Sequence, residues 1–420
     1  MEKAELRELN VNELTGGSKL MNILRKSLPE AKDSFFYKML RKKNITLNNK
    51  KATGSEIVST GDVIKFFLSD ETYDKFAGKA SKAVVCNGKA NGNRADDSGA
   101  GADKLNHGSV AQVVGRNVKS NVINGNATDG AKKSVNNGTS NSAANATAKG
   151  TGKSSSAKTF KINKNDIVYE DKDIILINKP YGILSQKAEP GDYSMVEALY
   201  DYMLENGMLS ADDLFRPAVT NRLDRNTTGI IAGGKTTSGL QFLSNAQKNG
   251  DIKKFYICIV PGEVKETRLL NGLWSKNTRN NRVTIEMVEN IPGSYSFPSR
   301  YWTKGNVPAQ TLIAPVVTNG RYTVVKIGLL TGKSHQIRAH MKAYGHPLIG
   351  DFKYGQRNVN DYFARKYGLT SQLLHAYMMD IEGKGEFVAK LPKQFINILK
   401  GEGLYSDSIE EIYKNIELKP

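Results

Sequence analysis

From Ala77 to Lys158 the chain contains no phenylalanine, tyrosine or tryptophan. Asparagine, glycine, serine, alanine and lysine dominate there, as in Asn136-Asn137-Gly138-Thr139-Ser140-Asn141. Such a stretch cannot bury enough apolar surface to offset the entropy lost on ordering it. It reads as a flexible, mildly basic linker over 77–158. Folded structure is therefore expected on either side of it, in a small unit over 1–76 and a large one over 159–420. A length of 420 residues suits more than one domain, and an apolar share of 39% suffices for a sizeable core.

The formal net charge is +18 and the isoelectric point about 9.5. A surplus of that size favours a polyanionic partner, nucleic acid or an anionic membrane, over a merely solvated basic surface. No apolar run approaches a membrane span and the N-terminus lacks a signal-peptide core, so neither membrane association nor secretion is expected. Cys86 and Cys258 are too few for a disulfide framework or a four-cysteine zinc site, and a reducing cytoplasm fits. There is no internal repeat. With RNA as the polyanion, the segment 77–158 has a second reading, a tail that orders on contact with it.

In the small unit, Ser18–Ala31 and Asp33–Asn44 have helical periodicity. Leu20, Ile23, Leu24 and Leu28 share one face, as do Phe36, Met39 and Leu40. Asp33 or Ser34 is placed to cap the second helix. A strand Ile45–Asn48, a turn at Asn49-Lys50 and a strand Val63–Leu68 after Gly61-Asp62 follow. Basic residues crowd the unit: Arg25, Lys26, Lys38, Arg41, Lys42, Lys43, Lys50 and Lys51. Helix, basic-ended helix, strand and Gly-Asp turn together resemble the αL RNA-binding module of a small-subunit ribosomal protein and of many RNA-modifying enzymes. The resemblance rests on 41–51 and Gly61-Asp62-Val63-Ile64, and it implies that these cations bind RNA.

The large unit opens with two short strands and a tight turn at Lys179-Pro180-Tyr181-Gly182. Strand-like and helix-like stretches then alternate without the regular crossovers of a parallel sheet, which makes it mixed α+β.

Three stretches carry chemistry. In Asn221-Arg222-Leu223-Asp224-Arg225-Asn226-Thr227-Thr228-Gly229 a carboxylate sits between two arginines ahead of an apolar strand. Alone, that is as well read as a loop salt bridge. In Lys254–Gly262, Phe255, Ile257 and Ile259 fall on one face and Tyr256, Cys258 and Val260 on the other, the pattern of a strand buried from both sides. In 329–340, Leu-Leu-Thr-Gly-Lys-Ser-His-Gln-Ile-Arg-Ala-His, a strand and a glycine turn lead into a helix. Ser334 is the expected cap, and Gly345 and Pro347 the expected stop. Ile337, Met341 and Tyr344 share a face, so Arg338 lies one step from the buried stripe. His335, His340 and His346 are five and six residues apart, which does not put them on one helical face, and no metal site is expected.

In order, these strings resemble the HRLDRxTSG, KxYxAxVxG and TGRTHQIRVH signatures of the RluA/RluC/RluD-type pseudouridine synthases. With the αL-like module, the RluC branch is the most similar. Asn221, Thr228 and Lys333 stand where the family usually has His, Ser and Arg. The lysine keeps the charge but not a bidentate contact. Gly345–Asp351 with Tyr354-Gly355, and Leu374-His375-Ala376, also agree with the family and read as structural. The resemblance implies a mixed, largely antiparallel sheet with flanking helices, plus a small α/β RNA-binding domain. It implies isomerisation of uridine to pseudouridine in structured RNA, foremost large-subunit ribosomal RNA or an assembling subunit, with transfer RNA the alternative.

By the same resemblance Asp224 is the catalytic carboxylate, Arg338 pairs with it, and Tyr256 lines the site and stacks on the flipped base. Arg222 helps to displace that base, while Arg225 and Lys333 join the RNA-binding cations. The reaction consumes no electrons, phosphate or water, so no cofactor is expected, and a monomer is the default. A silent RNA-binding assembly factor is the rival reading. A glycosidase-like hydrolase fits less well, because that chemistry wants two carboxylates flanking the bond. The linker is expected to lower the effective concentration of one unit at the other's RNA site.

Overall fold

The computed structural model describes residues 5–77, 159–289, 307–407, 409–416 and 418. Past Ala77, the expected linker lies outside the described residues.

The small unit runs β1 (Glu5–Asn10), α1 (Leu20–Ser27), α2 (Asp33–Arg41), β2 (Ile45–Leu47), β3 (Lys50–Lys51), β4 (Val63–Leu68) and α3 (Asp70–Phe76). Its sheet is antiparallel, in the order β1-β4-β2-β3. The expected stripes of both helices are buried against Ile45, Ile64 and Phe66. Helix α1 stops at Ser27, short of Ala31, because Pro29 biases Leu28 away from the helical region. Asp33 does not cap α2. Its carboxylate pairs with Arg25 at 2.7 Å. The β2–β3 turn falls at Asn48-Asn49, one residue early, with φ of 50° and 62°, the left-handed pair that a two-residue hairpin needs.

The large unit runs β5 (Ile167–Glu170), β6 (Ile174–Lys179), α4 (Met195–Glu205), β7 (Ala218–Val219), β8 (Thr228–Gly234), α5 (Thr237–Asn249), β9 (Ile252–Pro261), β10 (Arg268–Asn277) and β11 (Arg282–Val288). It continues with β12 (Val307–Thr318), β13 (Tyr322–Leu329), α6 (Gln336–Ala343), α7 (Arg357–Tyr367), β14 (Leu374–Ile381), β15 (Gly385–Val388), α8 (Lys393–Gly401) and α9 (Ile409–Asn415). This is an α+β fold. The sheet order is β11-β10-β12-β13-β9-β14-β8-β6-β5, with β15 beside β14 and β7 beside β8.

Among the described strands only β8 and β14 pair in parallel, through His375↔Thr228 and Ala376↔Gly229. Two antiparallel halves thus meet at a short join. Gly229 has φ +106°, and a Cβ on it would strike the Ala376 backbone, so the crossing needs glycine. Strand β9 is buried from both sides as its sequence demands: Ile257 and Ile259 in one core cluster, Tyr256, Cys258 and Val260 in another.

The small unit is also in contact with the large one, rather than being only tethered to it. Leu14 packs on the cluster beneath α4, and Leu214 packs on the small unit's own core.

Two buried histidines make the fold acid-sensitive. His375 Nδ1 meets Thr228 Oγ1 at 2.7 Å across the join, and His340 Nδ1 meets Thr311 Oγ1 at 2.7 Å. Burial pushes His375 down to about 4 and His340 down to about 3, from 6.5. The folded chain keeps both neutral while the unfolded chain takes up their protons. Stability is therefore whole above pH 6.5 and is lost as pH falls toward 4. The expected slope approaches about 1.4 kcal/mol per pH unit for each histidine. Urea melts between pH 7 and 5, above the ordinary carboxylate range, check this. A midpoint that does not move would refute it.

Candidate active site

Asp224 sits in the loop before β8, and that loop is held from several sides. Ser185 Oγ donates to Leu223 O at 2.8 Å and accepts from Leu223 N at 2.9 Å. Asn221 Nδ2 donates to Ile230 O at 3.1 Å, while its Oδ1 accepts from Ala232 N at 2.7 Å. This amide, where the family usually carries histidine, fastens the loop to β8. The Lys179 ammonium, fully buried, donates to Pro180 O, Ile183 O and Arg225 O at 3.1, 2.8 and 3.0 Å. Three acceptors match its three hydrogens. Burial pushes Lys179 down to about 7, and Asp224 opposes the shift. The tight turn expected at 179–182 is thus built around its own lysine.

Arg338, on α6, donates through Nη1 to Asp224 Oδ2 at 2.7 Å. The other edge of its guanidinium grips Asp351, Nε to Oδ2 at 2.7 Å and Nη2 to Oδ1 at 3.0 Å. Asp351 is fully buried and also accepts the backbone N–H of Lys353 and of Tyr354 through Oδ1, each at 3.0 Å. Burial works against the Arg338 charge, but Asp351 and then Asp224 more than restore it, raising its pKa above the ordinary arginine value. The result is a fork fixed by one carboxylate and offered to a second. Asp224 Oδ1 takes no hydrogen bond from the described residues, which leaves that oxygen for a ligand.

Ser334 does not cap α6. His335 takes the capping position with φ 53°, and the Gln336 side chain accepts the Lys333 N–H at 3.0 Å instead. That left-handed turn brings His335 Nε2 to 3.9 Å from Asp224 Oδ2. His335 Nδ1 lies 2.9 Å from Tyr354 Oη, which also accepts the Val283 N–H at 2.9 Å. Donor and acceptor roles in that contact exchange with the imidazole tautomer. Nε2 is the ring nitrogen that faces Asp224. Burial lowers the His335 pKa, Asp224 opposes that, and Arg338 and Lys353 reinforce it. His335→Phe is expected to slow turnover up to about tenfold by removing the polar neighbour 3.9 Å from Asp224, with RNA affinity unchanged. Unchanged single-turnover rates would sink this role.

Tyr256, 6% exposed, shares a core cluster with Leu223, Leu374 and Ala376. Burial, and after it Asp224, push its phenol above the ordinary value. It stays protonated, which suits an apolar wall and not a general base.

The site brings together Asp224, Arg338 and Tyr256. Arg222, Arg225 and Lys333 are exposed, Arg222 and Arg225 in the Asp224 loop and Lys333 before α6. Arg25, Lys26, Lys38, Arg41, Lys42, Lys43, Lys50 and Lys51 are exposed on the small unit. Sequence reasoning missed Lys179, His335 and Asp351 as members of the site. Asp351 lay within a matched string, but nothing in the string shows its partner. No group of three or more metal-ligating side chains occurs among the described residues. No helix is long and apolar enough to cross a membrane, again among the described residues.

The RNA pseudouridylate synthase family profile matches residues 173–343, which include Asp224, Tyr256, His335 and Arg338. The chain is 31% identical over 256 residues to the ribosomal large subunit pseudouridine synthase D of Yersinia pestis, covering 56% of this chain and 71% of that protein. It belongs to the RNA pseudouridine synthase family. The synthase is also 29% identical over 260 residues to the synthase D of Borreliella burgdorferi, covering 60% of this chain and 72% of that one. Against the ribosomal large subunit pseudouridine synthase C of Vibrio vulnificus the identity is 28% over 227 residues, covering 53% and 64%.

Proposed function

We propose that this synthase isomerises uridine in large-subunit ribosomal RNA, with Asp224 acting at the ribose of a flipped-out nucleotide. The observation that carries the reading is the Asp351–Arg338–Asp224 chain. It holds one oxygen of Asp224 at 2.7 Å and leaves the other open. Isomerisation breaks the bond from the ribose carbon to the uracil nitrogen and makes one to a ring carbon. That carbon loses a proton and the nitrogen gains one, with no net change of electrons. An ionised carboxylate serves the departure of the base either as nucleophile at the sugar or as acceptor of a sugar proton. Arg338 keeps it charged and aimed.

A base in folded RNA must leave its stack before it can react, at a cost of a few kcal/mol. Arg222 fills the gap it leaves, and Tyr256 walls the pocket that receives it. Phosphate contacts from Arg225 and Lys333 offset part of that cost. The basic small unit adds affinity and placement. The large-subunit target rests on the names of the relatives together with the resemblance of 41–51 to a ribosomal-protein module.

The test incubates the synthase with large-subunit RNA from cells lacking its gene, naked and as assembling particles, then maps pseudouridine by carbodiimide labelling and primer extension. New stops identify the uridines. Their absence on both substrates, with stops on transfer RNA, would overturn the ribosomal reading. Binding without any stop would favour an assembly factor.

A further inference from the structure

Residues 12–18 of the small unit sit on the first turn of α5. The Thr237 backbone N–H and its Oγ1 both donate to Leu14 O, at 3.1 and 2.9 Å. Ser18 Oγ donates to Thr237 Oγ1 at 3.2 Å, and Gln241 Nε2 donates to Gly17 O at 2.9 Å. Asn12 Nδ2 donates to Asp213 Oδ1 at 2.8 Å. The first N–H groups of a helix have no partner of their own, so Leu14 O meets a standing need of α5. The apolar exchange of Leu14 and Leu214 adds to these bonds. Each unit supplies what the other lacks, and no RNA is needed to join them.

We propose that the small unit works while docked on α5, as a fixed arm that grips RNA at one set distance from Asp224. This rests on the reading of the small unit as RNA-binding. The arm selects the target by geometry: a uridine reacts only when a helix the arm can hold lies at the right separation.

The test places Ser18→Cys and Thr237→Cys in a Cys86→Ser chain and bridges them with a short cleavable thiol cross-linker. The bridge is expected to form without RNA and to leave affinity for structured RNA unchanged. Failure to bridge would overturn the proposal, and so would affinity lost on bridging and regained on cleavage. Lys26→Glu is expected to weaken binding about tenfold at low salt and to lower the salt slope by about one. An unchanged affinity and slope would show that the arm does not grip RNA through this face. None of these readouts is of turnover, so they stand or fall separately from the assignment of Asp224 and of the ribosomal target.

Discussion

Asp224→Asn is expected to bind RNA as the parent chain does and to form pseudouridine at least about a thousandfold more slowly, as when the central group of a catalytic set is removed. The substitution is nearly isosteric. Its amide oxygen can still accept the Arg338 Nη1 hydrogen now bonded at 2.7 Å, and the Arg338–Asp351 pair is untouched. The fold and the RNA-binding surface should therefore survive. What disappears is the negative charge, and with it both routes by which the carboxylate can act on the ribose. Single-turnover release of tritium from the C5 position of labelled uridine measures the chemistry. Fluorescence anisotropy with the same RNA measures binding. Turnover near the parent rate would end the assignment, and a parallel loss of binding would show that the residue builds the pocket instead.

Asp351→Ala should cost about 3–5 kcal/mol of stability, the usual result of stranding one member of a buried ion pair. Arg338 is only 9% exposed, and its Nε and Nη2 lose their acceptors together. The N–H groups of Lys353 and Tyr354 lose theirs as well. A stranded guanidinium will turn toward Asp224 or toward water, and either movement spoils its aim. The second expectation is thus a fall in the maximal rate larger than any change in RNA affinity. Asp351→Asn should fall between, since it keeps two acceptor lone pairs but no charge. Chemical denaturation with single-turnover kinetics tests both claims. A variant as stable and as fast as the parent would show that Arg338 needs no second carboxylate.

Much of this was legible in the sequence, for identifiable reasons. The two-faced apolar pattern of 254–262 can only be a strand with cores on both sides, and β9 lies between two. The stripes of α1 and α2 were readable for the same reason. Asp224 and Arg338 are 114 residues apart, and local pattern could not join them. Their pairing came from a resemblance. Asp351 stayed hidden because its partner is on another element and its own surroundings are a turn. His335 was missed because a left-handed histidine at a helix start leaves no mark in hydrophobic periodicity. Strand β1 was overlooked because only Leu6 and Leu9 of Glu5–Asn10 are apolar and Leu6 is itself exposed, so its apolar signal is thin. The docking of the small unit rests largely on the carbonyls of Leu14 and Gly17, and backbone oxygens are the same in every sequence.

The short parallel join between β8 and β14 has a mechanical consequence. Asp224 is carried by the half of the sheet that ends in β8, whereas Arg338, Asp351, His335 and Tyr256 belong to the half that begins at β14. The β8–β14 ladder is only two residue pairs long, and side-chain ties such as Lys384 to Asp171 at 2.7 Å and Asn178 to Lys390 O at 2.9 Å complete the junction. The separation of acid and guanidinium is therefore fixed across this junction, by contacts that neither half supplies alone.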